Sequence, residues 1–138
     1  MDGPAIIKSD GSLYWYKNGK QHKEDGPAVI KQDGTKTWFQ NGIIHRTDGP
    51  AMISRYGEKT WVQNGKIHRD NGPAIIYSDG SKQWYKNGDL HREDGPAVIT
   101  KFEKSYYLND IPYPNIENDV LWRIEVQKMK RKKEKELI

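Results

Sequence analysis

Short apolar and aromatic stretches alternate with polar turn pairs along the first hundred residues, and the alternation repeats at a constant spacing. A Gly-Pro-Ala phrase marks the period, and its proline recurs every 23 residues at Pro4, Pro27, Pro50, Pro73 and Pro96. A fixed period of this length is typical of a repeat array, in which each unit packs against its neighbours. We therefore assign residues 1–113 to about 4.5 units, the last of them degenerate.

Each unit contains the sequence pattern of two β-hairpins. In the second unit, Asp33-Gly34 and Asn41-Gly42 interrupt stretches rich in β-branched and aromatic residues. Both pairs favour two-residue type I′ turns, which need positive φ at both central positions. The predicted fold is mainly β, an antiparallel hairpin meander of solenoid type. With two-residue turns throughout, Trp38 lies opposite Val29 on one side and His45 on the other.

Directly opposed residues of an antiparallel pair share a face of the sheet. The period therefore predicts that one tryptophan and one histidine of each unit meet in a structural ladder. The ladder residues are Trp15, Trp38, Trp61, Trp84, His22, His45, His68 and His91.

The phrase His91-Arg92-Glu93-Asp94 has the residue types of an acid–base pair or a metal site. The phrase repeats, however, and the third unit carries Asn71 in place of the aspartate, so a carboxylate is not required there. An asparagine can still accept a backbone N–H in an Asx-turn. In the fifth unit, constant spacing puts Tyr107 at the tryptophan position and Pro114 at the histidine position. We expect a structural role for the phrase, with no enzyme activity, catalytic residue, metal or cofactor.

Residues 114–138 differ in character from the array and predict a capping helix with a basic tail. Asn118 or Asp119 can cap a helix that runs from Val120 to about Glu136. Val120, Leu121, Ile124 and Lys128 mark one stripe of this helix, flanked by Trp122, Val126 and Met129. We expect the helix to fold over the last hairpin and the run beyond Lys128 to project into solvent.

The net charge of +4 belongs to the C-terminus. Residues 128–138 hold six Lys/Arg and two Glu, and residues 1–127 balance at 17 of each sign. A neutral array disfavours stacking of nucleic-acid bases on its tryptophans. The chain has no cysteine, which excludes disulfides, and no apolar run long enough for integral membrane association. These features favour a cytoplasmic location, in the host cell if the protein is viral.

The repeat resembles a known family. Trp or Tyr, two residues, Asn-Gly-Lys, one residue, His, and then Asp-Gly at period 23 is similar to the MORN repeat over about residues 2–100, with a decayed copy to about 113. Arg or Lys follows the histidine where MORN units usually carry Gly, and an aromatic replaces a second Gly. The variant with His-Arg-Glu-Asp-Gly-Pro-Ala looks like the version in bacterial and large-virus proteins. The resemblance implies a β-hairpin array used for scaffolding, dimerisation and partner binding; lipid binding is a weaker association.

These observations predict a non-enzymatic protein–protein interaction module, a small stand-alone adaptor or inhibitor that acts, in a viral setting, on a host protein. The expected partner is another protein or a second copy of the chain. The alternative is a binder of nucleic acid or an anionic membrane surface through the basic tail and exposed aromatics. The first strand, after Met1–Pro4, has no preceding hairpin and is a candidate edge for strand addition. Candidate contact residues are Ile6, Ile7, Tyr14, Tyr16, Lys128, Lys130, Arg131, Lys132 and Lys133.

Overall fold

The computed structural model describes residues 5–137, so Met1–Pro4 and the first copy of the repeat proline lie outside the described residues. The fold is a long antiparallel hairpin array followed by one helix, which confirms the predicted fold class. In chain order the strands are β1 (Ile6–Ile7), β2 (Leu13–Tyr14), β3 (Tyr16–Lys17), β4 (Lys20–Gln21), β5 (Val29–Ile30), β6 (Lys36–Thr37), β7 (Phe39–Gln40), β8 (Ile43–Ile44), β9 (Met52–Ile53), β10 (Lys59–Thr60), β11 (Val62–Gln63), β12 (Lys66–Ile67), β13 (Ile75–Ile76), β14 (Lys82–Gln83), β15 (Tyr85–Lys86), β16 (Asp89–Leu90), β17 (Val98–Ile99), β18 (Lys104–Ser105), β19 (Tyr107–Leu108) and β20 (Ile111–Pro112). The helix α1 spans Asp119–Glu136.

Two strands of every unit join one ten-stranded sheet, in the order β1-β2-β5-β6-β9-β10-β13-β14-β17-β18. The other two strands of each unit form a separate short hairpin, from β3–β4 to β19–β20. A tryptophan divides the sheet strand from the hairpin strand in the first four units, as Trp15 does between β2 and β3. Successive hairpins are bonded to each other, since the Gly42 N–H donates to the Gln21 carbonyl at 2.8 Å. The array therefore has two connected rows, a sheet and a stack of hairpins.

The two turns of a unit differ in type. Asn41 and Gly42 both have positive φ, at 51° and 81°, which confirms the two-residue turn expected of Asn-Gly. At the other turn only Gly34 has positive φ, 94°, and the Lys31 N–H donates to the Thr35 carbonyl at 2.8 Å. This is a three-residue loop with a glycine bulge.

The longer loop moves the register by one residue. Val29 pairs with Thr37, so the predicted pairing of Val29 with Trp38 is wrong. The other half of that prediction is confirmed, because the His45 N–H donates to the Trp38 carbonyl at 3.1 Å.

The aspartate of the Asp-Gly turns has a defined role in this loop. The Asp33 carboxylate accepts a hydrogen bond from the Thr35 N–H at 2.9 Å, and this bond lowers the pKa of Asp33. Asp10 and Asp79 make the equivalent bond in their units. The third unit uses the Ser54 hydroxyl instead, which accepts from the Tyr56 and Glu58 N–H groups. A side-chain oxygen within the loop therefore closes it in these units, from the aspartate position in three of them and from two residues earlier at Ser54.

The fifth unit is shorter than the others by one residue. Its first turn closes between Thr100 N–H and the Glu103 carbonyl at 2.9 Å, one residue tighter than in the second unit. As a result Tyr106, not Tyr107, takes the tryptophan position, and Tyr113, not Pro114, takes the histidine position. The constant 23-residue spacing thus misplaced both residues. The fifth unit is therefore offset by one residue from the constant spacing.

The core of the array is thin and built on small residues. The alanine of the Gly-Pro-Ala phrase is fully buried in four units, at Ala28, Ala51, Ala74 and Ala97. Its carbonyl accepts from the tryptophan N–H of the preceding unit, as from Trp15 to Ala28 at 2.8 Å. A larger side chain here would separate two backbones that are directly bonded.

The helix α1 covers the end of the array with one apolar face. Trp122 is 0% exposed, and its ring lies 5.2 Å from the Tyr106 ring and 5.3 Å from the Tyr113 ring. Its indole N–H donates to the Arg92 carbonyl at 3.0 Å. Val126 and Met129 extend the packed face. The stripe that the sequence singled out lies on the other side of the helix and points into solvent, and it consists of Val120, Leu121, Ile124 and Lys128.

Candidate functional site

The four histidines join successive units. Nδ1 of His45 accepts a hydrogen bond from the N–H of Asn64, the first residue of the next Asn-Gly turn, at 2.9 Å. His22, His68 and His91 bond to Asn41, Asn87 and Asn109 in the same way, at 2.9, 3.0 and 3.1 Å. An accepting Nδ1 leaves the proton of a neutral ring on Nε2. Nε2 of His22 lies 2.8 Å from Glu24, and Nε2 of His68 lies 2.8 Å from Asp70.

The basic residue after each histidine stacks on the tryptophan of the same unit. Cζ of Arg46 lies 4.1 Å from the centre of the Trp38 ring, a cation–π distance. Lys23, Arg69 and Arg92 lie at 4.0, 3.8 and 3.9 Å from Trp15, Trp61 and Trp84. The repeat pattern alone does not predict this contact.

The Asp-Gly-Pro loop holds the stacked arginine from the other side. Nε of Arg46 donates to Asp48 at 3.0 Å, and Nη1 donates to the Pro50 carbonyl at 3.0 Å. A Cβ placed on Gly49 would lie 2.9 Å from Cζ of Arg46, so the glycine permits the close approach. Arg92 has the same partners in Asp94 and Pro96. The aspartate thus accepts from arginine at these two loops, which replaces the Asx-turn expected from sequence.

This geometry separates the residues that resembled a reaction centre. Asp94 is bonded to Arg92, and the acid closest to His91 is Glu93, at 3.8 Å from Nε2. Burial lowers the pKa of His91, which favours the neutral ring. Among residues 5–137, no cluster of three His, Cys, Asp or Glu side chains is placed to hold a metal ion. The ladder residues therefore lie in inter-unit contacts.

Open grooves run between the loops of neighbouring units. One of them, of about 870 Å³, lies between the first two loops. Trp38 and Ile43 supply its apolar surface, and Glu24, Asp25 and Asp48 stand around it. The tryptophan is already covered by Arg46 on one face, so the groove offers carboxylates more than a bare aromatic surface.

The first strand presents an apolar edge. Within residues 5–137, β1 pairs with β2 alone, and Ile6 and Ile7 are 48% and 72% exposed. The Lys8 N–H donates inward to the Ser12 carbonyl at 2.9 Å. Because successive backbone groups alternate in direction, the N–H and C=O of Ile7 point outward. Tyr14 lies directly opposite Ile6, whereas Tyr16 lies beyond Trp15 in the hairpin β3–β4.

The solvent-facing side of α1 carries a second surface, which we call the outer stripe. It consists of Val120, Leu121, Ile124, Lys128, Arg131 and Lys135. The three aliphatic residues are 58%, 44% and 48% exposed, in sequence order.

The remaining basic candidates of α1 do not share one environment. Lys130 pairs with Glu93 at 2.8 Å, so the prediction that the whole run projects freely into solvent is wrong for this residue. The hydrogen bond from Lys130 lowers the pKa of Glu93. Lys132 and Lys133 are exposed.

Comparison with models of known families finds no match, and comparison with curated proteins finds none either. Within residues 5–137, no helix has both the length and the apolar character needed to cross a membrane. The candidate binding sites are therefore two exposed surfaces, the β1 edge and the outer stripe.

Proposed function

We propose that the protein is a non-enzymatic protein–protein interaction module built on a MORN-like array, a small adaptor or inhibitor that acts in the cytoplasm. The bonding of the polar repeat residues supports a scaffold role. His68 is engaged at both ring nitrogens, and Arg46 contacts Trp38, Asp48 and Pro50 at once. Groups held in this way maintain geometry and leave recognition to the exposed surfaces.

The observation that carries this proposal is the exposed β1 edge. Ile7 combines a largely exposed apolar side chain with outward backbone N–H and C=O groups. Such an edge pairs readily with an added strand, since backbone bonds supply affinity and side-chain contacts supply selectivity. The added strand comes from a partner protein or, in antiparallel orientation, from β1 of a second copy.

The test is Ile7→Pro with Ile7→Val as its matched control. Proline removes the outward N–H and leaves the inward bonds of β1 to β2 in place, as edge positions tolerate. Self-association is measured by sedimentation at about 50 µM, and partner capture from host extract by mass spectrometry. We expect Ile7→Pro to lose whichever contact the wild type shows, by at least about tenfold. Unchanged association by a folded Ile7→Pro variant would refute the edge as the binding surface.

A second candidate function follows from the exposed basic residues Lys128, Arg131, Lys132 and Lys133. These side chains suit nucleic acid or an anionic membrane surface. A steep loss of binding to short duplex DNA or to phosphatidylserine vesicles with rising salt would support it. Salt-independent binding, or no binding, would count against it.

A further inference from the structure

The outer stripe of α1 is divided along the helix axis. Its aliphatic residues Val120, Leu121 and Ile124 lie within the first two turns, and Lys128, Arg131 and Lys135 occupy the following turns. These positions are spaced three or four residues apart and so fall on one face of the helix. The face extends for about 22 Å at 1.5 Å per residue.

The cations of the outer stripe form no salt bridge within the part of the chain that is described. No carboxylate of residues 5–137 lies within salt-bridge distance of Lys128, Arg131 or Lys135. Lys130, on the neighbouring face, has its partner in Glu93.

The stripe is also held in place. Trp122 and Val126 fix the opposite face of α1 on the array, and Arg123 donates to the Asp94 carbonyl at 3.3 Å. A surface held in this way loses little conformational entropy on binding.

We propose that the outer stripe binds an acidic helical segment of a partner protein, in which apolar and acidic residues are separated along one face as they are here. The proposal rests on the proposed function in taking the chain as a protein-binding module. It concerns a different surface, at the last unit of the array, whereas β1 lies at the first.

The arrangement of the stripe favours a protein over a bilayer or a nucleic acid. A helix lying on a membrane has apolar residues along its whole length, with cations at the flanks. Here the cations Lys128, Arg131 and Lys135 continue the apolar line itself, so a flat bilayer cannot match both halves. Nucleic-acid phosphates suit the basic half alone and leave Val120, Leu121 and Ile124 without a partner.

Helix dipoles indicate the orientation of the bound segment. Antiparallel neighbours place each helix N-terminus beside the partner's C-terminus, where the partial charges attract. The partner's acidic half then lies at its own N-terminus, opposite Lys135 and Arg131. Its apolar half lies at its C-terminus, opposite Val120 and Leu121.

The probe is a designed helical peptide of about 18 residues with glutamates on the N-terminal half of one face and leucines on the C-terminal half. A mixed peptide of equal composition alternates glutamate and leucine along that face. Binding to the full chain is measured by fluorescence anisotropy at about 150 mM salt. Vesicles of phosphatidylcholine and phosphatidylserine at roughly 7:3, and a short duplex DNA, complete the set.

Two substitutions test the two halves of the stripe, each with a matched control. Ile124→Ser removes apolar surface and is compared with Phe102→Ser, which removes exposed apolar surface at a turn outside α1. Arg131→Glu reverses a charge and is compared with Lys59→Glu, an exposed side chain of strand β10. Circular dichroism checks that all four variants fold, which is expected because every substituted side chain faces solvent.

We expect the segregated peptide to bind at least about tenfold tighter than the mixed one. Ile124→Ser and Arg131→Glu should each weaken that binding about fivefold or more, while both controls stay within about twofold. Equal binding of the two peptides, no binding of either, or binding to vesicles or DNA alone would each overturn the proposal. Failure here leaves the response to Ile7→Pro unchanged, so the two proposals are tested separately.

Discussion

At the scale of single residues, the histidines serve as hydrogen-bond acceptors, and at His91 this makes the junction with the last unit sensitive to acid. Nδ1 of His91 can accept from the Asn109 N–H only while it carries no proton. Burial lowers the pKa of His91 below its ordinary value of 6.5, so the unfolded chain takes up a proton more readily than the folded one. The stability that this group contributes is present above that pH and is lost as the pH falls through the lowered value.

We therefore predict that the Asn109 amide loses protection when the pH falls from about 7.5 to about 5. The measurement is hydrogen exchange by NMR, expressed as a protection factor to remove the intrinsic pH effect. His91→Gln should show low protection at both pH values. A wild-type Asn109 that stays equally protected at acid pH would contradict the junction chemistry described above.

The glycine beneath the stacked arginine gives a second prediction. Gly49→Ala places a Cβ 2.9 Å from Cζ of Arg46, which Trp38 and Asp48 hold in place. We expect a loss of about 1–2 kcal/mol in the free energy of unfolding, as one cation–π contact and its hydrogen bonds are displaced. Gly26→Ala is the matched control, because its Cβ comes no closer than 3.4 Å to the flexible end of the Lys23 side chain. Urea denaturation measures both, and equal losses would argue against the arginine as the cause.

The sequence predicted that the tryptophan and histidine of each unit are neighbours. It predicted neither the bond from the histidine to the next unit nor the stacking of the basic residue on the tryptophan. Periodicity shows that His45 and Trp38 recur together, and the two-residue Asn-Gly turn then fixes their pairing. The bond from His45 to Asn64 crosses between units. It depends on how the hairpins stack, which no spacing within one unit encodes. The outward direction of the Ile7 backbone was likewise set by register, not by residue type.

At the scale of secondary structure, turn chemistry explains why the pairing of Trp38 with His45 was predicted correctly and the pairing of Val29 with Trp38 was not. Asn41-Gly42 allows one loop length, because asparagine and glycine both accept positive φ. Asp33-Gly34 allows two, and the bond from Thr35 to the Asp33 carboxylate selects the bulged loop. The helix start at Asn118 was predictable from its capping side chain. The face of α1 that packs on the array was not predictable, because the helix has two apolar stripes. The stripe with the large ring of Trp122 is the one that is buried.

The contact between α1 and the last hairpin predicts a response to alkali. Burial, and then the hydrogen bond to Asp119, raise the pKa of Tyr106 to about 12, above the ordinary 10.0. The folded chain keeps this proton where the unfolded chain loses it. Its stabilising contribution is therefore complete below pH 10 and is lost as the pH rises toward 12.

Tyr106→Phe should remove this part of the pH dependence. Denaturant unfolding at about pH 9 and about pH 11 is expected to show a smaller loss of stability for Tyr106→Phe than for the wild type. Tyr56→Phe, at an exposed turn, serves as the control and should behave as the wild type. A steeper alkaline loss in Tyr106→Phe than in the wild type would contradict the assignment.

At the scale of the whole molecule, contacts between neighbouring units predict that damage stays local. Trp122→Ala removes the fully buried ring that joins α1 to the last hairpin, at a cost of about 3–5 kcal/mol. Because each unit bonds mainly to the next, the early units should keep their hydrogen-exchange protection. We expect fast exchange at Asn109 and near-normal exchange at Asn41. Uniform loss of protection along the array would instead indicate one cooperative block.

The junctions between successive units are nearly identical, so they do not determine how many units the array contains. His22, His45 and His68 meet the following turn at 2.9, 2.9 and 3.0 Å, so no junction carries a mark of its ordinal number. Among residues 5–137, the hairpin β19–β20 differs from the other four in that Tyr106 and Tyr113 receive the helix there. A duplicated stretch of gene encoding one unit would therefore lengthen the protein without creating a new kind of contact. The number of units can therefore change while the packing of α1 on the last hairpin stays the same.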